Sequence, residues 1–149
     1  RSWEFQVENQ GWRYHMSDIM AAIGIVQLSR LEEFSTKRRK IAKYYDNKFK
    51  KNKFVSPLSR NYDEVVPHIY PVILSKKIKR KDFQKYLLSK NIQTGIHYKP
   101  NHLLNFYKNQ NNSFLKNTEY IYKNIISLPL HPEISVEDLN YIVEIIEHF

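Results

Sequence analysis

The chain contains no cysteine. That excludes disulfide stapling and thiolate zinc sites, and it suits a reducing cytoplasm. Glycine is almost as scarce, with Gly11, Gly24 and Gly95 the full set. Three glycines so far apart form neither common type of glycine-rich phosphate loop. No apolar run approaches the roughly 18 residues of a membrane span, and no signal peptide opens the chain. No serine sits in a nucleophile elbow, and the carboxylates are dispersed without a pair flanking a loop, which argues against a glycosidase-type dyad. Methionine is missing from the first position, which Arg1 occupies. The expectation is a piece of something longer, or a trimmed chain.

What is present is enough for one folded domain. The 149 residues are 42% hydrophobic and 14% aromatic, which supports a packed core rather than disorder. Lys and Arg number 24 against 15 Asp and Glu, a formal charge of +9. Such a balance favours anionic partners such as nucleic acid, phosphate or nucleotide. The cations lie in short runs, Lys37 to Lys40, Lys48 to Lys53 and Lys76 to Lys81. Their plainer reading is as solvated helix faces and turns. Interleaved aromatics, a helix-turn-helix and an RNA-binding signature are all lacking, so charge alone selects no partner.

Periodicity supplies the elements. Ser17 is an N-cap with Asp18 in the first turn. Ile19, Ala22, Ile23, Val26 and Leu31, then Ile41, Tyr44, Tyr45 and Phe49, recur at helical spacing with no proline between Ser17 and Lys53. About 30 helical residues span about 45 Å, more than a globule of this size needs, so the helix is expected to connect two bodies. "EVVPHIYPVIL" reads as a strand that Pro67 and Pro71 push toward an edge. "KRKDFQKYLLSKN" is an amphipathic helix with Phe83, Tyr86 and Leu87 on one face. "IQTGIHY" reads as a second strand with Gly95 at a bulge or close approach. "SFLKNTEYIYKNIISLPLHP" begins as a helix and ends as a short strand. "SVEDLNYIVEIIEHF" is a final helix capped by Ser135, with Leu139, Ile142, Val143 and Ile146 on its buried face. The sum is a small α/β fold: a long entry helix and a few-stranded sheet covered by helices.

Two groups of side chains carry chemistry. Arg13, Tyr14 and His15 lie directly before a helix start, where free N–H groups and the dipole favour an anion such as phosphate. The plainer alternative is a capped helix with a surface arginine. His97 and His102 flank a proline turn at a strand end, and His131 stands at a similar junction. Strand ends collect site residues, and each histidine reads either as structural or as substrate-facing. A metal site is disfavoured, because no carboxylate accompanies His97 and His102 in the sequence.

"GWRYHMSDIMAAIGIVQLSRLEEF", followed by "RRKIAKYYDNKF", resembles the sugar-aminotransferase family of pyridoxal-phosphate enzymes, the DegT/DnrJ/EryC1/StrS group. "PHIYPVIL", "IQTGIHYKPNHLLNFY" and "SLPLHPEISVEDLNYI" resemble its downstream landmarks in the right order. The resemblance covers nearly the whole chain. It implies the small C-terminal domain of an aspartate-aminotransferase-like fold, with the Schiff-base lysine upstream and outside this chain. Residues 1–16 would end the large domain, 17–52 would be the interface and connecting helix, and 53–149 the small domain. Arg13, Tyr14 and His15 would touch the phosphate of pyridoxal 5'-phosphate in a partner subunit. Arg13 stands where the family has asparagine, His15 where it has arginine, and Met20 where it has glutamine. His97, Tyr98 and His102 would border the sugar-nucleotide pocket, with His68 and His131 as structural landmarks. The implied reaction moves an amino group from glutamate to a keto-sugar nucleotide in a cytoplasmic homodimer, or in an assembly with a separately encoded large domain. The rival is a non-catalytic basic module that holds RNA or a partner protein.

Overall fold

The computed structural model describes residue 6, residues 8–108 and residues 114–149. Residues 1–5 and 7 of the expected leading segment, and Ser113 at the expected start of a helix, lie outside the described residues. The chain divides into two units, Arg1–Glu32 and Glu33–Phe149. Residues 17–52, read as one long helix, carry two helical elements: α1 (Asp18–Ser29) and α2 (Leu31–Phe49). Ser17 caps α1, its Oγ accepting the Met20 N–H at 3.4 Å, with Asp18 favourably placed in the first turn. The end of α1 needs no proline or glycine. The Arg30 N–H turns back to the carbonyls of Gln27 and Leu28 and closes the last turn. No residue of α1 is buried.

The second unit holds the core. Ile41, Ala42, Tyr45 and Phe49 form the buried stripe of α2, while Lys40, Lys43 and Lys48 face solvent. Tyr45 stacks on Phe49 at 5.6 Å and meets Tyr70 at 4.8 Å between ring centroids. Offset and tilted aromatic contacts of this kind add to the area they bury. The basic run at 37–40 is not wholly solvated. Arg38 Nη1 donates to the carbonyls of His68 (3.3 Å) and Leu130 (3.2 Å), fastening two loops to α2.

Three antiparallel strands follow in the order β1-β2-β3: β1 (Val55–Pro57), β2 (Tyr70–Leu74) and β3 (Ile125–Leu128). Val55 opposes Leu74, and Tyr70 opposes Leu128. β2 is thus the central strand, which corrects the expectation that its prolines force an edge. Pro71 opposes Ser127, and Ser127 gives both backbone groups to Gly95, its N–H at 2.8 Å and its C=O at 3.0 Å. The Pro71–Ser127 pair is therefore of the non-hydrogen-bonded kind and requires no donor from proline. On the other side β1 ends at Pro57, opposite Val72, one residue short of Pro71.

The second strand expected in "IQTGIHY" shrinks to that single Gly95–Ser127 bridge. What leads into it is set by the end of α3 (Arg80–Ser89). Asn91 takes φ 60°, and the Asn91 and Ile92 N–H groups bond the Leu88 and Leu87 carbonyls. This is a helix stop with asparagine in the left-handed position, one of the few side chains that tolerate it. It turns Ile92–Gly95 back along β3. Beyond a single 3₁₀ turn (Asn101–Leu103) come α4 (Asn105–Lys108), α5 (Lys116–Asn124) and α6 (Val136–Glu147). Ser135 caps α6 through the Asp138 N–H at 3.0 Å, and Leu139, Ile142, Val143 and Ile146 are its buried residues, as the spacing predicts. Phe83 and Leu87 of α3, with Val72, Leu74 and Ile126 of the sheet, complete the core.

Candidate functional site

Arg13, Tyr14 and His15 are exposed ahead of the cap of α1, with Tyr14 86% accessible. Arg13 Nε donates to His15 Nδ1 at 3.1 Å. Accepting at Nδ1 leaves the imidazole its proton on Nε2, so both side chains present N–H groups outward. A guanidinium, an imidazole N–H and a phenol O–H before a helix start form a donor set that a phosphate fits. The nearest acid in sequence, Asp18, lies inside the first turn of α1.

The second unit carries two clefts on either side of residues 97–98. The first, about 800 Å³, is lined by Thr94, Gly95, His97 and Ser127, and by His68 and His131 from the loops beside the sheet. Its floor is apolar, from Ile92, Leu128 and Ile142. The second, about 810 Å³, is lined by Tyr98, Lys99, His102, Tyr107 and Thr118 among others. The structure therefore divides the three residues that the sequence groups together. His97 belongs to the first cleft, Tyr98 and His102 to the second. The Tyr98 ring stands edge-on to His97 at 4.8 Å, and the peptide joining them is cis. His68 and His131, read as landmarks, both line the first cleft beside His97.

The environments of the two histidines differ. His97 Nδ1 lies 2.9 Å from the Oγ of Ser127, which is 4% exposed. His102 Nε2 lies 3.3 Å from Glu119 Oε1 of α5. Glu119 corrects the expectation that no carboxylate accompanies His102. The pair is separated by 17 residues, so local spacing carries no sign of it. Ser127 was missed for another reason: a serine inside "IISL" looks like strand filler. Among the described residues no group of three or more His, Cys, Asp or Glu side chains could hold a metal ion. No described helix is long and apolar enough to cross a membrane.

Beneath the clefts, the sheet is held by a buried phenol network. Tyr70 Oη donates to Asp46 Oδ1 at 2.6 Å, and Tyr45 Oη donates to the Pro129 carbonyl at 3.2 Å. Burial first, then the Asp46 carboxylate, pushes the Tyr70 phenol above its ordinary value. Burial does the same to Tyr45. Both remain protonated donors, and Tyr45 fixes the loop that carries His131.

The model of the DegT/DnrJ/EryC1/StrS aminotransferase family matches residues 1–147. The chain belongs to that family. Among the curated relatives, it is 32% identical over 146 residues to a UDP-4-amino-4,6-dideoxy-N-acetyl-beta-L-altrosamine transaminase of Campylobacter jejuni, covering 95% of this chain and 39% of the relative. Among solved structures, it resembles the pyridoxal-phosphate form of a sugar aminotransferase (Spr1654) from Streptococcus pneumoniae. The TM-score is 0.87 and the identity 30%, covering 99% of this chain and 39% of the other. Helicobacter pylori PseC, an aminotransferase of pseudoaminic acid biosynthesis, gives a TM-score of 0.84 at 28% identity, covering 97% and 40%. The aminotransferase fold expected from the sequence is thus the fold of its relatives. This family member spans about 39% of the length of the curated relatives it matches.

Proposed function

We propose that the chain is the carboxy-terminal part of a nucleotide-sugar aminotransferase that uses pyridoxal 5'-phosphate and is dimeric when whole. It transfers an amino group from glutamate to a keto-sugar nucleotide, in cell-surface polysaccharide or amino-sugar biosynthesis in the cytoplasm. One observation carries the reading: a family match along residues 1–147 runs through a donor cluster that stands exposed ahead of α1. In this reading residues 1–16 close the large domain, 17–52 form the interface and connection, and 53–149 the small domain.

Bound pyridoxal phosphate supplies the electron sink for transamination. The residues of this chain bind and orient. Arg13 and His15 offer N–H donors to the cofactor phosphate in the partner's pocket, with Tyr14 beside them. Arginine in place of the family asparagine adds a fixed positive charge there. His97, Tyr98 and His102 border the sugar nucleotide, and Lys99 brings a cation to the second cleft. The exposed apolar side chains of α1 are covered by the second protomer, since surfaces of this kind seldom stay bare. No lysine of this chain is catalytic; that residue belongs to the large domain.

The test uses the gene product expressed from its native start, supplied with cofactor, glutamate and a UDP-linked 4-keto sugar. The expected result is 2-oxoglutarate and an amino sugar in equal amounts. Borohydride should fix the cofactor to a lysine outside these 149 residues. A single fixed adduct on a lysine within them moves the catalytic centre into this chain and defeats the proposal. Failure to turn over, together with RNA binding that weakens steeply with salt, favours the basic-module reading instead.

A further inference from the structure

The His97 ring is seated directly against Gly95. A Cβ built on Gly95 would stand 2.6 Å from His97 Cε1 and 3.3 Å from Nδ1. The ring therefore occupies the space that any other residue at 95 would fill, and glycine is required by close approach rather than by its dihedral angles. Gly95 is itself fixed, because both of its backbone groups bond Ser127. Ser127 in turn places its buried hydroxyl 2.9 Å from Nδ1. One serine thus holds both the floor under the ring and one of its nitrogens. Among the described residues Nε2 makes no hydrogen bond, and His97 lines the first cleft.

The fixed charges lining that cleft are Lys90 and Asp138, one of each sign. Around them stand hydroxyl and amide groups from Gln93, Thr94 and Ser127, over an apolar floor. Such a lining suits an uncharged, hydroxylated ring with an apolar face. A diphosphate would find Lys90 as the fixed cation of this cleft, with Asp138 of opposite sign also on its lining.

We infer that Gly95 and Ser127 are positioning residues that aim His97 Nε2 at a hydroxyl or carbonyl oxygen of an uncharged sugar ring in the first cleft. The choice of a sugar rests on the proposed function; the seat itself rests on geometry alone. A hydroxyl at Nδ1 and a glycine beneath the ring fix its orientation, which is how second partners aim histidine nitrogens elsewhere.

The test is nuclear magnetic resonance of the histidine-labelled gene product expressed from its native start, read at the imidazole nitrogens, with UDP-N-acetylglucosamine and UDP alone as probes. UDP-N-acetylglucosamine should shift the His97 nitrogens and Thr94 where UDP does not. Ser127→Ala should free the ring to reorient and weaken the affinity read from the sugar-dependent shift by about tenfold, the loss of one good hydrogen bond. Its unfolding midpoint should stay near wild type, which separates positioning from bulk stability. Gly95→Ala should displace the ring and abolish the shift; if that variant does not fold, Ser127→Ala carries the test. Equal shifts of His97 with UDP alone, no shift with either probe, or an unchanged sugar affinity in Ser127→Ala each overturn the inference. A gene product that fails to transaminate while His97 still behaves as expected would sink the functional reading and leave the seat standing.

Discussion

α1 and α6 are built alike and buried differently. Each is a 12-residue helix, capped by a serine whose Oγ accepts a first-turn N–H, with acid in that turn. Both are rich in isoleucine. Yet α6 buries Leu139, Ile142, Val143 and Ile146, whereas α1 buries nothing. The difference lies in arrangement. α6 keeps its apolar residues at i, i+3, i+4 and i+7 and turns Glu137, Glu144 and Glu147 outward. α1 spreads Ile19, Met20, Ile23, Ile25, Val26 and Leu28 around its circumference, all exposed. A one-sided stripe is satisfied by the domain that carries it. A helix apolar all round is the signature of an element covered from several directions.

The largest effect that tests this contrast is truncation on each helix. Ile146→Ala removes a side chain with no exposure and should cost about 2–5 kcal/mol of stability in urea. Ile23→Ser should change the same midpoint by no more than about 0.5 kcal/mol, the range of surface substitutions. Its effect should appear in sedimentation, as loss of the self-association that covers α1 in the proposed dimer. Equal destabilisation by both would mean that α1 is part of the core after all, and the contrast would collapse.

The same contrast marks what could be read from the sequence. α3 and α6 were legible because Phe83 and Leu87, or Leu139 and Ile146, announce a period of 3.6 without help from distant residues. The cap residues Ser17 and Ser135 were legible for the same local reason. β1 was not, since three residues ending in Pro57 are too short to show alternation. The central place of β2 was hidden because the pairing that excuses Pro71 depends on Gly95, two dozen residues downstream. The site divides along the same line. His97 and His102 stood out by residue type and turn context. Ser127 and Glu119, their respective partners, come from elements whose proximity only the fold creates.

A smaller effect comes from alkaline pH and should fall on the second unit alone. Tyr70 and Tyr45 hold their protons more tightly when folded than the ordinary phenol value near 10. A raised folded value means that this stability is fully present below about pH 10 and is lost as pH rises, because the unfolded chain ionises first. The slope should approach about 1.4 kcal/mol per pH unit for each such tyrosine. Tyr70→Phe should remove its share of the slope, at the cost of leaving Asp46 without its 2.6 Å donor at neutral pH. α1 carries no tyrosine, so its amide exchange should show no extra opening over the same range. Parallel alkaline loss in both regions would mean that they unfold as one body.

The smallest effect separates the two caps. Ser135→Ala deletes the acceptor for the Asp138 N–H and should lower the unfolding midpoint by about 1 kcal/mol, the usual worth of such a cap. The hydroxyl also donates to Asp138 Oδ2 at 2.8 Å, so the loss unties both ends of a small reciprocal motif. Ser17→Ala removes the equivalent bond to Met20, at a longer 3.4 Å. If α1 contributes no packing to the core, that deletion should leave the global midpoint unmoved. It should appear only as faster exchange at the first amides of α1. A cap is felt by the whole fold only when the helix it starts is held elsewhere by burial. The ratio of the two serine effects therefore measures how far each helix is held by burial.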